Sequence, residues 1–190
     1  MDDLIEFDTN NLIDLLDKFL LDELSKETNN TATRTTPTTS ACIDSLNNPS
    51  SLQLFQAKSI PTISIKNYLS RILRYCPSTN QVFLSLLVYF NRMKSLSNVF
   101  TLNSYNIHRL IIAGITVSSK FLSDIFYTNS RYAKVSFSLA DVDTLTQIQV
   151  GGLPLSELNQ LELHFLLLND FNLFINKSEI DFYFKLLLEH

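Results

Sequence analysis

Glycine is scarce, at three residues in 190, and two of the three, Gly151 and Gly152, are consecutive. No stretch can therefore form a glycine-rich cradle for phosphates. Cysteine is scarcer still: Cys42 lies in a polar tract and Cys76 just before a proline, with no companion at metal-ligand spacing. Both are read as free thiols in a reducing compartment. The three histidines, His108, His164 and His190, have no partners at ligand or triad spacing, so neither a metal centre nor a hydrolytic triad is expected. His108 and His164 are read as packing or helix-surface residues. Positive charge is also in short supply, since 15 Lys and Arg face 19 Asp and Glu for a net charge of -4. A chain of that balance has no basic field to hold a phosphate backbone, and nucleic acid is not expected as a partner. The longest apolar runs stop well short of a bilayer span, and the N-terminus MDDLIEFD is acidic where a secretory signal is basic. No membrane association is expected, and the expected location is cytoplasmic or nuclear. Catalysis, cofactors and bound metal are all absent from this reading.

What is present is apolar sequence, 45% of residues against 18% charged, enough for one globular domain with some less ordered chain beside it. The densest stretch is 107–122, IHRLIIAGITVSSKFL. Read as a helix it is apolar on every side, through Ile107, Leu110, Ile111, Ile112, Ala113, Ile115, Val117, Phe121 and Leu122. A helix without a solvent face must be surrounded by others. Its small residues Ala113, Gly114, Ser118 and Ser119 let neighbouring backbones come close, although a mid-helix glycine gives up about 1 kcal/mol of helix propensity. The β-branched residues would suit a buried strand, but the run lacks period-2 alternation and outlasts a strand.

Taken in order, 2–24 is an amphipathic helix with Leu12, Leu16, Phe19 and Leu20 on its stripe, either packed back on the domain or free to dock in a partner's groove. Residues 25–51, rich in Thr, Ser, Asn and Pro, form a disordered linker that carries the pair Thr36-Pro37. Helical periodicity returns at Ile63 with Ile65, Tyr68, Leu69, Ile72, Leu73 and Cys76 inward, and Pro77 ends it. Ser78 or Thr79 caps the next helix, 80–96, and Asn103 or Ser104 caps the central one. Beyond a polar and aromatic stretch, Ser156 and Glu157 open a helix that buries Leu158, Leu161, Phe165 and Leu168. A last amphipathic segment, 177–188, buries Ile180, Phe184, Leu187 and Leu188. The fold class is all-α.

Three stretches carry a family resemblance. SIPTISIKNYLSRILRYCPSTNQVFLSLLVYFNRM resembles the start of the cyclin box of fungal phosphate-system and Pcl-type cyclins. TLNSYNIHRLIIAGITVSSKFLSDIFYTNSRYAKV is similar to the family's third helix and the loop after it, and GGLPLSELNQLELHFLLLNDFNLFI to the fifth helix. The resemblance covers 59–175. It implies a single cyclin box of five helices around a buried central one, within a domain at 52–190 preceded by a flexible extension. It also implies a regulatory subunit that binds and activates a cyclin-dependent protein kinase of phosphate-system type, acting in phosphate or storage-carbohydrate regulation. The alternative is a cyclin-fold scaffold or transcription-type adaptor that activates no kinase.

By the same resemblance Lys120 and Glu162 match a lysine and glutamate that many cyclin boxes place together at the kinase interface. A lysine closing an apolar helix and a glutamate amid Leu161, Leu163 and Phe165 each need a partner in any case. Asp124, Phe126, Tyr127, Asn129, Tyr132 and Lys134 fall in a segment that the family shares and are expected in the same kinase-binding region, with packing of Phe126 and Tyr132 inside the domain as the competing reading. The chain departs from the family at 135–149, which interrupts a run continuous elsewhere. Its edges can be encoded as splice signals, so it reads as either a retained intron or a surface-loop insertion.

Overall fold

The computed structural model describes residues 2–31, 52–97, 100–135 and 153–190. Thr36-Pro37, Cys42 and the 136–149 part of the insertion lie outside the described residues. The helices are α1 (Asp2–Glu6), α2 (Thr9–Thr31), α3 (Ile65–Tyr75), α4 (Asn80–Leu96), α5 (Ile107–Leu122), α6 (Asn129–Val135), α7 (Leu155–Leu168) and α8 (Lys177–Glu189). The fold is all-α, as the periodicity required.

α5 is the centre. From Leu110 to Ser119 it is buried without interruption, with α4, α6 and α7 against it and α3 reaching it through Tyr68, whose ring lies 5.1 Å from that of His108. Gly114 sets how closely these helices approach. A Cβ on it would stand 2.5 Å from Leu86 Cδ2 of α4 and 3.0 Å from Phe165 Cζ of α7. The absent methyl is thus the space that both neighbours occupy. Small polar residues on the other sides pair rather than clash: the Ser85 hydroxyl donates to Ser118 Oγ at 2.8 Å, and Thr116 satisfies its own hydroxyl on the Ile112 carbonyl at 2.7 Å. Phe121 departs from the expected all-round burial, because it falls beyond the last neighbouring helix and is 50% exposed.

His108 shows how a polar group survives beside this core. Its Nε2 donates to the Ile63 carbonyl at 2.9 Å, which fixes the neutral tautomer, and burial holds the imidazole below its usual pKa.

The N-terminal segment is two helices rather than one, for a reason that lies in α4. Asn80 donates from Nδ2 to the carbonyls of Leu4 and Phe7, at 2.7 and 2.6 Å, closing the end of α1. Its Oδ1 accepts from the Thr9 hydroxyl at 2.7 Å. Asp8 then caps α2 by accepting from the Asn11 N–H at 3.0 Å. α2 buries Leu12, Ile13, Leu16 and Leu20 against the domain and is tied down by Lys66–Asp14 at 2.8 Å and Lys94–Glu23 at 2.7 Å. It continues past the expected boundary to Thr31, with Lys26 pairing back to Asp22 at 2.6 Å.

Several helix ends also differ from expectation. Ser64 caps α3 by accepting from the Asn67 N–H at 3.2 Å. Asn106 rather than Asn103 or Ser104 takes the cap position of α5, because the Asn103 side chain is turned inside the preceding loop, accepting from the N–H groups of Tyr105 and Asn106. α7 starts at Leu155 behind Pro154. α8 opens on a reciprocal capping box between Asn176 and Glu179. On α8 Ile180, Phe184 and Leu187 are buried while Leu188 faces out, one residue past the inward stripe.

The Gly114 geometry makes a prediction of sign. Gly114→Ala gains about 1 kcal/mol of helix propensity but overpacks a dense core by about 1–3 kcal/mol, so the variant is less stable than the parent. In a Leu86→Ala background the nearest obstacle is gone, and the same substitution becomes neutral or stabilising. A double-mutant cycle by chemical denaturation checks it; one sign in both backgrounds contradicts the packing account.

Candidate protein-binding surface

The buried run of α5 ends at Ser119, and the next residue, Lys120, leaves the core at the helix C-terminus, where a cation complements the exposed carbonyls. Its Nζ donates to Glu162 Oε1 of α7 at 2.5 Å. The second carboxylate oxygen accepts from Asn129 Nδ2, the first residue of α6, at 2.5 Å, and the same amide donates to Asn159 Oδ1 at 2.8 Å. One carboxylate thus joins α5, α6 and α7. The lysine and glutamate side chains keep 33% and 18% of their accessible surface. A pair so exposed adds at most about 1 kcal/mol to stability, so its main effect is to hold a charged surface in fixed geometry. A second ion pair on the same two helices, Arg109–Glu157, is backed by the Arg109 Nε donating to the Leu54 carbonyl at 3.1 Å.

Around this polar centre lie large apolar side chains with nothing over them. α7 buries Leu158, Leu161, Phe165 and Leu168, yet Leu155, Leu163 and Leu167 at four-residue spacing are exposed on its outer side. Asn159 is the polar member of that row. In the last turn of α5 Phe121 is exposed, and so are Ile125 and Phe126 after it, Ile125 at 77%. A helix apolar on both sides inside a single chain presents its outer row for a partner to cover. A hydrogen-bonded charge network bordered by exposed apolar residues has the anatomy of an interface centre.

The structure brings Lys120, Glu162 and Asn129 together and sets Asp124, Phe126 and Lys134 on the exposed surface. Asp124 and Lys134 make no hydrogen bond or ion pair among the described residues. Tyr127 is half-buried beneath the Arg131 guanidinium, 4.1 Å from its ring centroid. Tyr132 belongs to the core instead. It is fully buried, its hydroxyl donates to Ser119 Oγ at 2.9 Å, and burial pushes its phenol pKa up. The short α6 turns Tyr132 and Ala133 inward and Ser130, Arg131 and Lys134 outward, so Tyr132 packs inside the domain beneath this surface, as the competing reading had it. Sequence reasoning missed the row Leu155, Asn159, Leu163 and Leu167 and the exposed Phe121. The signal was available: α7 carries more leucines than one buried stripe can hold.

Among the described residues no group of three or more His, Cys, Asp and Glu could hold a metal ion, and no helix is long and apolar enough to cross a membrane.

Two substitutions separate support from contact. Tyr132→Ala should lower stability by about 3–5 kcal/mol through the cavity it leaves, whereas Ile125→Ala should stay within about 0.5 kcal/mol of the parent. Thermal unfolding of the two variants checks the contrast, and equal losses would contradict the placement of these side chains.

The family model described as Cyclin matches residues 10–173, a span that takes in α2 as well as the central helices. The chain is 53% identical over 146 residues to the PHO85 cyclin-like protein psl1 of Schizosaccharomyces pombe, covering 76% of this chain and 53% of the relative. It is 45% identical over 144 residues to PHO85 cyclin-7 of Saccharomyces cerevisiae, covering 70% of this chain and 45% of the relative. Cyclin-U4-1 of Arabidopsis thaliana is 35% identical over 136 residues, covering 72% of this chain and 60% of the relative. The chain spans about half the length of the two fungal relatives. With more than half of its residues under the family match, and a central apolar helix enclosed by its neighbours as the structure requires, the chain belongs to the cyclin family.

Proposed function

We propose that this chain is the regulatory subunit of a cyclin-dependent protein kinase, that its partner is a kinase of the PHO85 type named in its fungal relatives, and that the surface of α5, α6 and α7 around Lys120 and Glu162 meets that kinase. The observation that carries the reading is α7, with its outer row of Leu155, Leu163 and Leu167 exposed beside the Lys120–Glu162–Asn129 network.

The chemistry belongs to the kinase and the chain contributes binding energy. A protein kinase needs its αC glutamate held against the catalytic lysine before it transfers phosphate. A rigid surface that binds only the ordered arrangement shifts that equilibrium by its difference in affinity for the two states. The apolar row supplies area, and the ion pair supplies register, since a charge network closed over by a partner is desolvated and its disruption leaves a charge unpaired. Phosphate or storage-carbohydrate regulation is the pathway this reading favours, with the nucleus or cytoplasm as its place. The adaptor alternative, in which a cyclin fold contacts DNA, finds no support in a net charge of -4.

Purified chain mixed with the purified kinase tests the reading. The expected result is a stable complex with stimulated phosphorylation of a peptide substrate, and a loss of affinity of about thirtyfold or more in Glu162→Ala and in Leu163→Asp. Unfolding measurements on both variants confirm that the fold persists. A parent chain that neither binds nor stimulates the kinase would overturn the proposal, as would Glu162→Ala and Leu163→Asp variants that bind as the parent does.

A further inference from the structure

The chain enters its helical domain through 52–64, LQLFQAKSIPTIS, which runs without regular secondary structure over 56–64. Such a stretch must find partners for its backbone outside itself, and it finds them on the first turn of α5 and the loop before it. Arg109 donates from Nε to the Leu54 carbonyl at 3.1 Å. The Ala57 N–H donates to the Tyr105 carbonyl at 2.9 Å, and Phe55 between them is buried. At the other end His108 donates from Nε2 to the Ile63 carbonyl at 2.9 Å. Two adjacent residues of one helical turn thus hold the two ends of the segment, and they differ in one respect. A guanidinium keeps its charge at every pH a cell meets, whereas an imidazole titrates.

The surroundings of His108 suit the neutral ring alone. Its Nδ1 is buried and has no hydrogen-bond partner among the described residues, so a second N–H would meet no acceptor. The residue is the second of α5, at the helix end that carries about half a positive charge. The charged side chains on the elements that meet it are cations: Lys58 on the segment, Lys66, Arg71 and Arg74 on α3, and Arg109 beside it. The carboxylates that reach those elements are engaged elsewhere, Asp14 with the Lys66 ammonium, Asp17 with the Lys66 N–H, and Glu157 with Arg109. From α3 the ring meets Tyr68, 5.1 Å away. Burial, only partly opposed by the Ile63 carbonyl, holds the imidazole below its ordinary value. The attachment is therefore at full strength above about pH 6.5, where an exposed histidine is neutral, and weakens as the pH falls below it.

We propose that His108 is an acid-sensitive clasp: a proton taken from solvent onto Nδ1 releases the ring from Ile63 and frees 58–64 from the central helix, while Arg109 keeps 54–57 attached. The opening reaches α3. Ser64, next to Ile63, caps that helix by accepting from the Asn67 N–H, and the Lys66 N–H is held by Asp17 of α2 at 2.9 Å, so release also loosens the first turn of α3 and its tie to α2. The clasp gives the chain a response to acidification at the end of α5 opposite Lys120, separate from the surface assigned to the kinase.

NMR of the full chain tests it. The His108 ring should titrate below an exposed histidine. Amide protection, corrected for the intrinsic exchange rate, is compared between about pH 7.5 and about pH 5.5. Residues 58–66 should lose protection by about fivefold or more in acid, while 110–119 keep theirs, which marks the opening as local. His108→Gln retains an N–H donor but does not titrate, so the acid-dependent loss should disappear. His108→Ala should show the weaker protection at both pH values. Protection of 58–66 that is the same at both pH values in the parent, an acid-dependent loss that persists undiminished in His108→Gln, or a loss shared equally by 110–119 would each overturn the proposal.

Discussion

The constraint on which the structure depends is the missing side chain at position 114. α5 is met there from two sides, by Leu86 of α4 and Phe165 of α7, at distances that leave no room for a methyl group. Close-packed interiors resist added atoms, so this position lets Leu86 and Phe165 come close to the α5 backbone. On the same pair of helices Lys120, at the end of α5, reaches Glu162 of α7. The Lys120–Glu162 ion pair thus lies at the end of the same helix packing, and α6 is drawn into the arrangement by Asn129 on the outside and by Tyr132 on Ser119 within.

The outer face of α7 follows from the same economy of helices. α7 packs on α5 and α6 through the stripe holding Leu158, Leu161, Phe165 and Leu168, and it carries a second apolar row that the described residues leave exposed. Phe121, Ile125 and Phe126 extend the unused apolar surface across the end of α5. Water contact with these side chains is unfavourable by about 25 cal/mol per Å², so covering them is a source of binding energy available before any polar contact forms. The N-terminal helices play the opposite part. α2 spends its stripe on the domain itself, and Asn80 holds α1 and α2 in place through three hydrogen bonds, which favours packing back on the domain over docking in a partner.

Where sequence reasoning succeeded, the signal was local and redundant. The run 107–122 has apolar residues at every helical angle, and no arrangement but enclosure accommodates that. The buried face of α7 was legible for the same reason, through regular spacing of Leu158, Leu161, Phe165 and Leu168. Where it failed, the deciding partner was distant or a small rotation mattered. The break between α1 and α2 is set by Asn80, more than 70 positions away in sequence. Nothing in Tyr132 itself says whether a seven-residue helix turns it toward Ser119 or toward solvent, and both readings stood open until α6 was seen against α5. Phe121 was misplaced because periodicity shows which side of a helix is apolar but not where the surrounding helices end.

Hydrogen exchange on the chain, alone and with the proposed PHO85-type kinase, addresses the central claim most directly, because it maps the covered surface without altering a residue. The account predicts slowed exchange in the complex over 120–131 and along α7, with α2 and α8 unchanged. Protection confined to α2 and α8, with α7 exchanging as in the free chain, would contradict it.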